Sequence, residues 1–305
     1  MQVCMRVPDI KAPPCVIALG NFDGVHLGHQ RLLATGLAEA KRLGVELAIL
    51  VFEPHPLKVL FPEQGIKLLT SREERLRALE RLHVDRVYLL PFNQKMAATL
   101  PQQFVSEVLI PLGAVHVVVG FNYSFGAKGK GKPEDLIRIG QDKGFNVSVL
   151  EAQSIDGRVI SSTSIRKALT QGDIRTAKQM LGRPPCLCGK VVHGEERGRL
   201  LGFPTANLQP PEDLLVPKRG VYAVWSEING LRVAGMMNIG MKPTFHQLYR
   251  TTIEVNYFDF AGNLYGRNLV VHIEERLREE RKFNGIDELC RQLRVDAEGA
   301  KKVLS

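Results

Sequence analysis

Two groups of residues stand out for the chemistry their types and spacing allow. The first is Gly20-Asn21-Phe22-Asp23-Gly24-Val25-His26-Leu27-Gly28-His29, where an apolar run ends and a helical pattern begins. Histidines three residues apart at a helix start share one face. The glycine between them admits a ligand closely, and the unpaired N–H groups of the first turn attract anions. That is an arrangement for holding phosphate. A pair of surface histidines, or part of a metal site, would use the same residues, although no third ligand lies nearby in a strand-end pattern. The second group is Pro204-Thr205-Ala206-Asn207, preceded by Gly189-Lys190, His193-Gly194 and Gly198-Arg199. A Thr hydroxyl and an Asn amide oxygen are hard donors of the kind that Mg2+ accepts while it bridges ATP phosphates. No Gly-x-x-x-x-Gly-Lys-Ser/Thr loop occurs, so a kinase here needs another scaffold.

The elements that must position the first group alternate. Pro14 to Gly20, Val45 to Glu53, Asp85 to Pro91, Ala114 to Gly120 and Phe145 to Glu151 read as short buried strands. Leu27 to Leu43, Ser71 to Leu82, Gln102 to Leu109 and Pro133 to Lys143 read as helices. Such alternation implies an α/β domain, a parallel sheet with helices on both faces, whose ligands bind beyond the carboxyl ends of the strands, at the Gly20, Glu53 and Gly120 loops. After Leu181-Gly182-Arg183-Pro184-Pro185 the texture changes. Leu187 to His193, Val221 to Ile228, Leu231 to Ile239, Thr251 to Phe258 and Asn268 to Glu274 have strand character, and Asn229-Gly230 is a hairpin turn signal. An antiparallel meander closed into a small β-barrel is expected there, followed by one helix from about Gly285 to Val303. The expected division is 1–182 and 183–305.

The composition fits this reading. The 305 residues are 44% hydrophobic and 24% charged, which excludes wholesale disorder and low-complexity architectures. No apolar stretch approaches the roughly 20 residues of a membrane helix. The first residues lack the apolar core of a secretory signal, so a cytoplasmic location is expected. Five cysteines are too few and too scattered for a disulfide framework, and Cys186 and Cys188 read as packing residues. The net charge of +9 is spread along the chain, which suits nucleotides and nucleic acids alike.

Further segments carry a resemblance. Gly20 to Gln30 resembles the His-x-Gly-His signature of nucleotidyltransferases, and its Gly-Asn-Phe-Asp-Gly-Val-His form is similar to the adenylyltransferase half of prokaryotic bifunctional riboflavin kinase/FAD synthetases. Phe52-Glu53-Pro54-His55-Pro56, Val119 to Gly126, Ile160 to Arg166 and Leu181 to Pro184 agree with it in order. The agreement continues in Gly202 to Asn207, Asn238 to Thr244, Ile253-Glu254-Val255 and Arg278-Glu279-Glu280.

The resemblance implies that riboflavin and ATP give FMN in a C-terminal flavokinase barrel, and that FMN and ATP give FAD and pyrophosphate in an N-terminal Rossmann-like sheet. It implies catalytic roles for His26, His29, Arg166 and Glu254. Nucleotide contacts fall to Gly20, Phe22, Asp23, Gly28, Ser162, Thr163, Gly189, Lys190, His193, Gly198 and Arg199, and flavin contacts to Phe52, Pro54, His55, Asn122, Phe125, Asn238 and Arg278. Thr205 and Asn207 are the expected Mg2+ ligands. Asn122 and Ser124 depart from the commoner pattern of an acidic and a basic residue. The Ala127 to Lys132 run reads either as a mobile basic loop over phosphates or as a solvated loop. Small molecules are the expected partners, with apo-flavoproteins as transient acceptors and no membrane. A tRNA-directed protein is the rival from another class. It lacks support because no Lys-Met-Ser-Lys-Ser segment occurs and the aromatics are not interleaved with Lys and Arg.

Overall fold

A computed structural model of the 305-residue chain describes residues 1–194, 198, 201–243 and 249–305. The described chain forms two compact units, Met1–Lys67 with Arg72–Ile160, and Leu68–Ser71 with Ser161–Ser305.

In the first unit β1 (Gln2–Cys4), β2 (Cys15–Leu19), β3 (Glu46–Glu53), β4 (Arg86–Pro91), β5 (Ala114–Gly120) and β6 (Asn146–Leu150) form one parallel sheet, ordered β1-β4-β3-β2-β5-β6. The helices are α1 (Leu27–Leu43), α2 (Pro56–Leu60), α3 (Arg72–Arg81), α4 (Gln94–Ala98), α5 (Pro101–Phe104) and α6 (Pro133–Lys143), and a hairpin of β7 (Ser154–Ile155) and β8 (Arg158–Val159) follows β6. All five residues of β2 are buried, because both faces of the sheet are covered. Leu32, Leu33 and Leu79 from α1 and α3 build one core with Val16 and Ile49; Phe104, Leu109, Leu136 and Ile139 build the other with Ile17 and Leu50. The strand order runs one way from β2 through β3 and the other way through β5. The carboxyl ends of β2 and β5 therefore flank the point where the winding reverses, the place where such sheets take ligands.

Two details differ from the sequence reading. Gln102 to Leu109 is not one α-helix: Val105–Leu109 is a π turn, closed by a 3.0 Å bond from Ile110 N–H to the Val105 carbonyl. Gln2–Cys4 adds an edge strand beside β4 that is too short to show periodicity.

The second unit opens with α7 (Ser162–Gln171) and α8 (Ile174–Leu181), which Gly182 ends in the left-handed conformation at φ 71°. Then β9 (Cys186–Val192), β10 (Ala206–Gln209), β11 (Gly220–Ile228), β12 (Leu231–Pro243), β13 (Tyr249–Tyr257) and β14 (Asn268–Arg278) close a barrel in the order β10-β13-β12-β11-β14-β9. Asn229 and Gly230, at φ 54° and 77°, make the left-handed turn that the dipeptide predicts between β11 and β12. The C-terminal helix is Ile286–Leu304. Helix α8 packs on β14, with Lys178 ion-paired to Glu274. Leu68 joins this unit by exchanging backbone bonds of 2.7 and 2.8 Å with Asp213 and Leu215. All five cysteines are free.

Candidate functional site

The loop after β2 folds back under itself. Phe22 and Val25 are almost completely buried and hold φ of 50° and 42°, the left-handed region that a β-branched residue avoids at a cost of order 1–3 kcal/mol. Such strain persists only where the surroundings dictate it. His26 is the N-cap of α1 and accepts the His29 backbone N–H at Nδ1, 3.2 Å away. That bond leaves the proton of the neutral ring on Nε2, which is the donor nitrogen. The His26 and His29 rings stack at 3.6 Å and 14°, and Phe22 closes the far side of His29 at 5.1 Å. A Cβ on Gly28 would lie 3.2 Å from the His26 ring, a tight approach that would push on the ring. His29 Nδ1 is buried with no hydrogen-bond partner. Burial, and then the neighbouring His26, hold the pKa of His29 well below the ordinary imidazole value. The pair is thus a partly buried N–H donor set at the start of a helix, and Gly20 and Asp23 flank it on the same loop. An anion brought there finds hydrogen bonds and the positive end of the helix dipole.

The other loops at this end of the sheet carry the expected flavin residues. Phe52 packs edge-on to Phe92 at 5.2 Å and lies 6.3 Å from Phe104, and Glu53-Pro54 is a cis peptide. His55 is buried and caps α2 by accepting the Leu57 N–H at 3.2 Å. After β5, Phe121 and Asn122 are exposed, whereas Phe125 is a core side chain between Tyr123 and Phe104. The following loop is pinned by two backbone bonds between Phe125 and Gly131, of 3.0 and 2.9 Å. This closes the Ala127 to Lys132 run at its base and leaves Lys128 and Lys130 exposed.

Helix α7 belongs to the second unit by its contacts, with Ser162, Thr163 and Arg166 in its first turns. Ser161 is its N-cap, accepting the Ser164 N–H at 3.1 Å.

On the barrel, strand register gathers residues that the sequence keeps apart. Asn207 on β10 pairs with Glu254 on β13, Glu254 with Asn238 on β12, Asn238 with Val221, and Val221 with Arg278 on β14. Directly paired residues share a face. Ile253, Val255, Met237 and Ile239 are buried between them in sequence, so Asn207, Glu254 and Asn238 form one outward row. The C-terminal helix lies over the same outer face, on Ala223 and Met236. Its Asp296, 4% exposed, takes both arms of the Arg278 guanidinium at 2.8 and 2.6 Å. That carboxylate gives no sequence signal, because it reads as one of many helix acids. Beside the row, Gly194 leaves no room for a Cβ against the Asn207 amide, and a Cβ on Gly198 would lie 3.5 Å from Thr205 Oγ1. Both Asn207 and Thr205 are thus approached by glycine backbone, as a polyphosphate cradle requires. His193 stacks on Tyr265 at 3.9 Å, and Gly189 is needed where β9 crosses the Gln209 carbonyl. Lys190 is exposed on β9. Arg199 lies outside the described residues.

Residues 9–164 match the family model of FAD synthetase, and residues 181–304 match that of riboflavin kinase. Among curated proteins, the bifunctional riboflavin kinase/FMN adenylyltransferase of Bacillus subtilis (strain 168) is 40% identical over 297 residues, covering 95% of this chain and 92% of its own length. The proteins of that description from Listeria monocytogenes and Escherichia coli (strain K12) are 41% and 37% identical, covering 94% and 92% of this chain and 91% and 90% of theirs. A crystal structure from Streptococcus pneumoniae, described as a macrolide-efflux protein, superposes with a TM-score of 0.90 at 33% identity over 98% of both chains. Among the described residues of this chain, no helix is long and apolar enough to cross a membrane.

Proposed function

The chain belongs to the family of bifunctional riboflavin kinase/FMN adenylyltransferases, and from that membership we propose how its residues divide the two reactions. It phosphorylates riboflavin with ATP to FMN, and it adenylylates FMN with ATP to FAD. The observation that carries this reading is that both family models fall on one chain, each over a separate fold, with relatives matched along nearly the whole length.

In adenylyl transfer, a phosphate oxygen of FMN attacks the α-phosphorus of ATP and pyrophosphate leaves. The second pKa of a phosphate monoester is about 6, so this nucleophile is already ionised and needs little help from a base. What it needs is donors around a crowded anionic transition state. His26 Nε2–H and the His29 imidazole supply them, with the N–H groups of α1 behind them. Gly20, Phe22, Asp23 and Gly28 keep that loop in shape. Ser162, Thr163 and Arg166 serve the ATP phosphates, Arg166 by its fork on the leaving pyrophosphate. Phe52, Pro54, His55 and Asn122 border the flavin, and Phe125 supports that border from the core.

In flavin phosphorylation the nucleophile is a neutral alcohol, the 5′-hydroxyl of riboflavin. Glu254 is the general base that takes its proton as the oxygen attacks the γ-phosphorus of ATP and ADP leaves. Asn207 and Asn238 flank Glu254 in register and fix both reactants. Thr205 and Asn207 are the oxygen donors that would hold Mg2+, which when bound offsets the charge of the ATP phosphates. Gly189, Lys190, His193, Gly198 and Arg199 complete the nucleotide side. Arg278, its fork occupied by Asp296, holds the C-terminal helix beside the flavin end of the row.

Residues 1–182 form the adenylyltransferase and 183–305 the kinase; Arg166 lies in the stretch 165–180 that neither family model matches. The enzyme works in the cytoplasm and hands flavins to apo-flavoproteins. The experiment is to incubate the pure protein with riboflavin, ATP and Mg2+ and separate the flavins chromatographically. Both FMN and FAD are expected. Absence of both would overturn the reading, and FMN alone would confine the error to the first unit.

A further inference from the structure

The second unit holds a buried amide outside the residues assigned to either reaction. Asn256, on β13, is 7% exposed. It follows Glu254 by two residues, with Val255 between them buried in the barrel, so the Glu254 and Asn256 side chains leave the same face of the strand. Its direct partner on β12 is Met236, which packs with Phe203 and with Ala300 of the C-terminal helix on that outer face. Asn256 therefore sits between this apolar cluster and Glu254. Its Nδ2 donates to the Pro204 carbonyl at 2.7 Å. A carbonyl only accepts, so the amide must present its NH2 group there and not its oxygen.

The bond falls where the strand ladder stops. Pairing of β10 with β13 runs from Asn207 opposite Glu254 to Ala206 opposite Val255, and Thr205 and Pro204 lie beyond that end. Proline has no N–H with which to carry the ladder further. We infer that Asn256 is a positioning residue for riboflavin phosphorylation: by holding the Pro204 carbonyl it sets the direction of the chain into Thr205 and keeps Thr205 against the strand that bears Glu254. The inference rests on the roles proposed for Thr205, Asn207 and Glu254. The ring of Pro204 already fixes its φ, which leaves ψ as the free rotation, and a bond to the carbonyl sets ψ. Because the peptide unit is planar, orienting its oxygen also orients the Thr205 N–H and Cα. On the other side, Phe203 N–H is held by the Gly198 carbonyl at 2.8 Å.

The test uses full-length Asn256→Ala and Asn256→Asp proteins. Alanine removes the donor, whereas aspartate keeps the shape and sets two acceptors against each other. If Asn256 only fills space, the isosteric aspartate should lie nearer to the wild type; as a donor to Pro204 the order is reversed. Riboflavin phosphorylation is measured over a range of Mg2+ concentrations, and binding of ADP with Mg2+ to the flavin-free protein by calorimetry. In Asn256→Asp the Mg2+ concentration for half-maximal rate should rise by at least about tenfold, with a smaller rise in Asn256→Ala, as for loss of a residue that orients a ligand. The Kd for ADP with Mg2+ should rise in the same order, and KM for riboflavin should change by less than about threefold. FAD formation from supplied FMN should be unchanged. Half-saturation and Kd do not depend on the fraction of active protein, so partial unfolding does not imitate the result. If Asn256→Asp does not fold, Asn256→Ala against the wild type carries the same two readouts. Unchanged Mg2+ dependence and ADP binding, an aspartate variant closer to wild type than the alanine one, or an equal loss of FAD formation would overturn the inference. A Glu254→Gln protein that phosphorylates riboflavin normally would instead remove the roles on which it rests, and the inference with them.

Discussion

Arg75 in the first unit and Arg278 in the second both face acidic side chains, and they are bonded in different ways. Arg278 closes a forked pair on Asp296 at 2.8 and 2.6 Å, and Gln292 adds a 2.8 Å bond to the same carboxylate. Arg75 stays 3.7 Å from Glu53 with a hydrogen-bonding atom unused, and in the same unit His29 Nδ1 is likewise buried without a partner. Buried polar groups are normally bonded, because an unmet donor or acceptor costs about 1–3 kcal/mol. The contrast is between a bonded cation and an unbonded one. The fork of Arg278 fastens a helix to a barrel. Unmet buried atoms also occur at Arg86, His116 and Gln153 in the first unit and at Arg276 in the second, and of these groups it is His29 that the proposed function turns toward an anionic substrate. The two chemistries call for this difference: adenylyl transfer needs preformed donors in a dry pocket, whereas phosphorylation of an alcohol needs a carboxylate that can reach it from a strand face.

The comparison is broken most directly by exchanging the demands. Glu254→Gln keeps the shape of the row and removes the base, so FMN formation should fall by about 10²-fold to 10⁴-fold. FAD synthesis from supplied FMN should continue. Steady-state rates of the two half-reactions decide it, and a mutant that phosphorylates riboflavin normally would take Glu254 out of the mechanism. The complementary change, His29→Ala, removes a donor from the first unit. It should cost FAD formation about 10²-fold to 10³-fold with FMN formation intact. Unchanged FAD output in a folded mutant would make His29 a packing residue.

Much of this arrangement was legible in the chain. Helices α1 and α6 begin and end where periodicity, Pro133 and the glycines at 44 and 144 say they should, since both glycines adopt the left-handed caps that stop a helix. The Asn229-Gly230 turn and the strand-to-helix loop that starts at Gly20 were equally readable, whereas the reversal of strand order beside it was not. What escaped was set by partners distant in sequence. Strand β10, four residues long, exists only because β9 and β13 lie on either side of it. Arg75 and Asp296 sit on helices where charge ordinarily means solvent, and only the packing of α3 and of the C-terminal helix buries them. The alignment of Asn207, Glu254 and Asn238 is a matter of register, which no single strand encodes.

The boundary between the units sharpens the comparison further. The texture of the sequence changes at Gly182, whereas the compact units divide between Ile160 and Ser161, since α8 buries Ile174, Ala177, Met180 and Leu181 in the unit that also holds the barrel. A fragment beginning at Ser161 should therefore melt higher than one beginning at Arg183. The difference should be on the order of 3 kcal/mol, from the packing of α8 and the Lys178 to Glu274 ion pair. Both should make FMN and neither should make FAD. Equal melting by calorimetry would show that α7 and α8 add nothing to the barrel, and that the framework begins at Gly182 after all.

The smallest expected effect concerns protons. His29 has a folded-state pKa depressed by burial and by His26, below the ordinary value of 6.5. A depressed group contributes stability that is present above about pH 6.5 and lost as the pH falls toward the folded value, because the unfolded chain binds a proton that the folded chain refuses. His116, also depressed by its burial, adds to the same trend, so the measurement must isolate His29. Between about pH 6.5 and 5.5 the unfolding free energy of the first unit should drop more steeply in the wild type than in His29→Gln, by up to about 1.4 kcal/mol per pH unit. ATP should flatten that slope, since phosphate oxygens beside His29 favour its charged form, and binding should then take up a proton, measurable by calorimetry in buffers of different ionisation enthalpy. Identical slopes for wild type and His29→Gln would mean that the unmet nitrogen of His29 has no energetic consequence, and that the contrast between a dry donor site and a bonded framework does not extend to this residue.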